Sequence, residues 1–126
     1  MFTFDQVFDE YVSNEQLYIE TVQPLVEAAF TGTKVTCFAY GQTGSGKTFT
    51  MMGSQKEDNF VPGLFLLAAN DIFNKIAQNR WNLAVWVSFY EIYCGKLFDL
   101  LNDRKILFAR EDGKQVTIPY KSRMCV

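Results

Sequence analysis

Eight consecutive residues carry the clearest chemistry in the chain: Gly41, Gln42, Thr43, Gly44, Ser45, Gly46, Lys47 and Thr48. They fit G-x-x-x-x-G-K-[ST], the pattern of a phosphate-binding loop. Glycines let the backbone turn tightly and aim its N–H groups at phosphate oxygens. A helix that starts at the end of the loop adds the positive end of its dipole. In such a loop Lys47 would reach the β- and γ-phosphates, and the Thr48 hydroxyl would ligate Mg²⁺.

Such a loop needs a strand before it and a helix after it. Residues 35–40 (VTCFAY) are apolar and β-prone, so they predict a buried strand. Residues 47–52 (KTFTMM) can start a helix that Gly53 ends. Upstream, Phe2, Phe4, Val7 and Phe8 suggest a short strand. Ser13 and Gln16 fit a capping box that opens a helix. Tyr18, Val22, Leu25 and Ala29, with Ile19, Val26 and Phe30, form its apolar face. Pro24 should kink that helix, and Gly32 should stop it.

Downstream, residues 64–77 have helical spacing, and residues 83–93 (LAVWVSFYEIY) are apolar on both alternating faces. A central strand covered by helices has that pattern. Glu91 inside it needs a hydrogen-bonding partner. Cys94, Gly95 and Lys96 predict a turn, followed by a short helical or extended piece at 97–102. Asp112-Gly113 between the β-prone runs 106–108 and 116–118 predicts a hairpin. The fold class is therefore α/β.

Composition narrows the functions. The chain has 126 residues, 48% of them hydrophobic, which makes one globular domain or part of one. Its twelve Phe suit a core better than a stacking platform for nucleic-acid bases. There is no histidine, which excludes Ser-His and Cys-His nucleophile pairs. Cys37, Cys94 and Cys125 lack metal-ligand spacing. No apolar run approaches membrane-spanning length, and a reducing, cytoplasmic setting is expected. Charge is uneven. Residues 1–33 carry six acids and no base, whereas residues 104–126 carry six bases against Glu111 and Asp112. A basic end suits an acidic partner surface.

Three motifs in order resemble the motor domain of kinesins. FAYGQTGSGKT with Phe49-Thr50-Met51 is similar to their phosphate loop. Residues 4–9 (FDQVFD) resemble the strand and turn before it. Residues 88–93 (SFYEIY) with Asp99-Leu100-Leu101 resemble their central-strand signature. Residues 36–40, 22–26 and 107–112 look most like the internal-motor subfamily, which couples ATP hydrolysis to microtubule depolymerisation. The resemblance implies a P-loop NTPase-like central sheet with helices on both faces, incomplete here, plus a small peripheral β-hairpin. It implies a partial motor domain over 1–117 and a divergent tail over 118–126.

The resemblance also implies roles. Gly41 to Thr48 would bind ATP, Thr48 would ligate Mg²⁺, and Phe49 would lie against adenine. Arg104, Lys105, Arg110 and Lys114 match a segment that touches acidic tubulin, so the implied setting is the microtubule cytoskeleton, with no nucleic acid or membrane as partner. Neither the Asn-x-x-Ser-Ser-Arg-Ser-His loop nor the Asp-Leu-Ala-Gly-Ser-Glu loop of kinesins occurs in the sequence, and neither does their Arg-x-Arg-Pro strand. The resemblance therefore implies a nucleotide-binding part without a complete catalytic set. ATP turnover is implied for the whole motor, and the alternative for this chain alone is binding of nucleotide or tubulin without turnover.

Overall fold

The computed structural model describes residues 1–56, 58–79, 83–112, 115–117 and 124–125. The chain divides into two compact units, Met1–Trp81 and Asn82–Val126.

The first unit is built on helices. α1 (Asn14–Leu17) opens where expected, because the Gln16 N–H donates to Ser13 Oγ at 3.2 Å. The other half of the box does not form. Gln16 Nε2 instead donates to Glu20 Oε1 at 3.0 Å, and Gln6 donates to the same carboxylate. A π-turn, Tyr18–Val22, leads directly into α2 (Gln23–Phe30). Pro24 has no N–H to give Glu20, so the ladder widens just before it: the Gln23 N–H donates to the Tyr18 carbonyl, five residues back. The interruption expected at Pro24 is this local widening. Gly32 ends the helix in left-handed geometry, with its N–H on the Ala29 carbonyl and that of Thr33 on the Ala28 carbonyl.

α4 (Leu64–Asn79) packs on this segment. The core is Tyr18, Val22, Val26 and Leu64, with Leu17, Phe30, Met51, Leu67, Ala68 and Ile72 around it. The buried stripe runs at four-residue spacing, and Ile19, expected on it, is exposed. Burial of each Val or Leu contributes about 1.5–3 kcal/mol. Tyr18 Oη donates to Asp71 Oδ2 at 2.8 Å, and Lys75 lies 3.6 Å from Glu27 and 3.9 Å from Asp71. These polar contacts join the same helices beside the core.

Between the helices run α3 (Lys47–Met52), β1 (Gly53–Lys56) and β2 (Asn59–Pro62), the two strands pairing as an antiparallel hairpin. Its base is tight. A Cβ on Gly63 would lie 2.4 Å from the Gly53 nitrogen and 2.5 Å from the Met51 carbonyl oxygen. Only glycine permits that approach of two backbones.

The second unit contains β3 (Trp86–Val87), β4 (Tyr90–Tyr93), β5 (Lys96–Asp99), β6 (Lys105–Leu107), β7 (Arg110–Asp112), β8 (Gln115–Thr117) and β9 (Met124–Cys125). β4, β5 and β6 form an antiparallel three-stranded sheet, β7 pairs with β8, and β3 pairs with β9. Cys94 (φ 48°) and Gly95 (φ 72°) close a two-residue hairpin between Tyr93 and Lys96, as the turn signal predicted. The strands flanking the Asp-Gly signal pair antiparallel, but they are β7 and β8, and Gly113 itself lies outside the described residues. Ile106 and Leu107 belong instead to β6.

Several expectations are corrected. Residues 33–40 form no strand, and Phe38 and Tyr40 are 81% and 94% exposed. A strand is a ladder and requires a neighbour; none of the described strands pairs with this run. Phe2, Phe4 and Val7 are likewise exposed and unpaired as strands. The run 83–93 is split into β3 and β4 rather than forming one covered central strand, and Ile92 is 70% exposed. Residues 96–99 take the extended alternative. The described strands form four small antiparallel sheets, so the central sheet with helices on both faces is absent among the described residues. What holds is a mixture of helices and strands.

Candidate functional site

The phosphate-loop motif folds as a loop that runs into α3. Gly44 (φ 81°) and Gly46 (φ 89°) occupy left-handed backbone, and Gly46 is the residue that enters the helix. At neither would a Cβ meet any atom within 4 Å, so the space beside both is open. The requirement for glycine there is conformational. Gly41 differs: a Cβ would sit 2.5 Å from Ser45 Oγ, because the loop closes across itself. The Ser45 N–H donates to the Gln42 carbonyl at 3.2 Å, and the Thr50 N–H donates to the Gly46 carbonyl at 2.9 Å.

Lys47 folds back over this loop. Its Nζ donates to the Gly41 carbonyl at 2.8 Å and to the Gln42 carbonyl at 2.7 Å. An ammonium carries three donors, so the loop's own carbonyls use two and hold the charge at its mouth. Gln42, Thr43 and Thr48 are exposed, and Phe49 is half-exposed on α3. A positive charge, left-handed glycines with open space and an exposed hydroxyl next in sequence fit a polyphosphate with its cation. The structure thus brings Gly41 to Phe49 together on one loop and one short helix.

Sequence reasoning missed the group that anchors this helix. Asn14 is 6% exposed, and its Nδ2 donates to the Phe49 carbonyl at 3.2 Å and the Pro62 carbonyl at 3.0 Å. Those partners lie 35 and 48 residues away. Only the residue type hinted at a role, since Asn in a first helical turn favours hydrogen bonds over helix propensity.

The candidate basic residues lie in the second unit. Arg104 (φ 55°) has Nη1 2.8 Å from Glu91 Oε2 and its guanidinium 5.1 Å from the Phe98 ring centre. Glu91 thus has a cationic partner, as its place in an apolar run required. Lys105 Nζ donates to Asn102 Oδ1 at 3.1 Å. Arg110 opens β7, and Lys114 lies outside the described residues. Asp99, 2% exposed, accepts the Leu101 N–H at 3.0 Å through Oδ1 and shapes the turn before Arg104.

The sequence matches the profile described as "Kinesin motor domain" over residues 1–126. The chain belongs to the kinesin motor-domain family. It is 58% identical over 118 residues to the kinesin-like protein KIF24 of Mus musculus and 54% identical to that of Homo sapiens, each alignment covering 92% of this chain and 8% of the relative. It is 50% identical over 117 residues to the kinesin-like protein KIN-13A of Oryza sativa subsp. japonica, covering 90% of this chain and 13% of the relative. The kinesin segment described here therefore spans a small part of the length of these relatives.

Proposed function

We propose that this chain is the ATP-binding segment of a microtubule motor. In the whole protein it would serve to couple ATP hydrolysis to microtubule-based movement or depolymerisation, in the cytoplasm on the microtubule cytoskeleton. The observation that carries the proposal is the loop geometry: left-handed Gly44 and Gly46, and Lys47 held across the mouth by two carbonyls. Family membership supports the choice of nucleotide and of partner.

In this reading the backbone N–H groups from Gly41 to Lys47 cradle phosphate oxygens. Lys47 exchanges a carbonyl contact for a phosphate one. The Thr48 hydroxyl binds Mg²⁺, and the Phe49 ring covers adenine. Bound ATP supplies the phosphoryl group whose transfer to water drives the motor. We propose further that the chain has a P-loop NTPase-like fold; family membership supports that reading, as do the exposed apolar side chains of Phe38 and Tyr40, which suit a partner surface. Arg104, Lys105, Arg110 and Lys114 are the proposed tubulin contacts.

The test is equilibrium binding of a fluorescent ATP analogue with Mg²⁺. Lys47→Ala should weaken binding at least a hundredfold, and unchanged affinity would sink the phosphate-loop assignment. Turnover measured with microtubules on the same samples separates a working ATPase from the alternative, a segment that binds nucleotide or tubulin without hydrolysis.

A further inference from the structure

We infer that Asn14 is a positioning residue for the phosphate loop, an inference that rests on the ATP-binding reading above. α3 has only six residues, Lys47–Met52. A helix that short does not hold itself in place, because nucleation is unfavourable and the gain per residue is small. Something outside must fix it.

The Asn14 carboxamide is that fixture. It is buried at the start of α1, and both hydrogens of its nitrogen are used. One goes to the Phe49 carbonyl, which also accepts the Gly53 N–H that closes α3. The other goes to the Pro62 carbonyl, which lies on the residue paired with Gly53 at the base of the hairpin. One amide therefore ties down the chain where it leaves the helix and where it returns from the hairpin. Phe49 is one residue after Thr48 and two after Lys47, so a shift of α3 moves the hydroxyl and the ammonium together. The loop has no other side-chain anchor of this kind among the described residues: Lys47 binds only the loop's own carbonyls. Asn14 takes no part in binding and acts through the placement of Lys47 and Thr48.

The experiment compares variants in the full chain by binding of the fluorescent ATP analogue, well below each melting temperature. Asn14→Asp keeps the shape but turns a carboxylate oxygen toward two carbonyls, and should weaken binding tenfold or more. Tyr18→Phe, which breaks a contact in the same helical core, should melt earlier yet bind within twofold of the parent. Asn14→Asp affinity within twofold, with Lys47→Ala abolishing binding, overturns the inference and leaves the ATP site standing. Loss of no affinity in Lys47→Ala overturns the ATP site instead. If Asn14→Asp does not fold, hydrogen exchange on the parent decides. The analogue should slow exchange in residues 47–53 and 14–17 together, and protection confined to 47–53 overturns the coupling.

Discussion

Tyr18 shows how one side chain ties packing to charge. Its ring is core and its hydroxyl is the donor to Asp71. Burial first, then the hydrogen bond and the Asp71 charge, raise its pKa above the ordinary phenol range. The folded chain thus holds this proton more tightly than the unfolded one. The stabilisation is complete below about pH 10, where an unfolded tyrosine still keeps its proton, and it is lost as pH rises above that. Melting temperature should therefore hold between pH 7 and 9 and fall beyond 10. In Tyr18→Phe it should start lower, by the roughly 1 kcal/mol of one hydrogen bond, and its alkaline fall should be shallower. Identical alkaline slopes would show that Tyr18 is not the source. Local chemistry at this scale was readable in the sequence: Ser13 and Gln16 announced the cap, and Gly41 to Thr48 announced the loop. Asn14 was not, because its meaning lies in carbonyls that only the fold brings to it.

At the scale of elements, turns with their own backbone chemistry were legible. Gly32 and the Cys94-Gly95 pair each encode a reversal within a few residues, and both appear in the structure, while the strands either side of the Asp112-Gly113 signal pair antiparallel. Strands were not legible in the same way, since an apolar run specifies burial but not its ladder partner. That is why residues 35–40 read as a strand yet pair with none of the described strands, and residues 83–93 read as one strand yet divide into β3 and β4. The hairpin base offers a clean test of a close approach. A Cβ at Gly63 meets backbone atoms at 2.4–2.5 Å, whereas one at Gly32 meets nothing within 4 Å and is opposed only by its φ of 86°. Gly32→Ala should cost about 1 kcal/mol, the penalty of an L side chain in left-handed backbone. Gly63→Ala must push two backbones apart and should cost about 1–3 kcal/mol. It should also weaken nucleotide binding, because Gly53 ends α3. Equal melting temperatures for the two variants would refute the close-contact account.

Over the whole molecule, charge is the property that the sequence displays most directly and that folding changes least. The acids of residues 1–33 lie in the first unit and the bases from Arg104 onward in the second. The proposed tubulin contacts therefore all lie within the second unit, where a basic segment suits an acidic surface. The bases are not equivalent. Arg104 is held by Glu91 and Phe98, so part of its charge is already answered and its replacement would disturb the β4–β6 sheet. Lys105 is exposed and contacts only a neutral amide oxygen among the described residues, which keeps its full charge available. Charge reversal at Lys105 and Arg110 should therefore weaken microtubule co-sedimentation by about tenfold at low ionic strength, with the difference shrinking as salt screens it. Charge reversal at Lys34 and Lys56, an equal change of charge in the first unit, should leave co-sedimentation within twofold. If both changes act alike, the attraction is one of net charge, and the basic segment is not the contact.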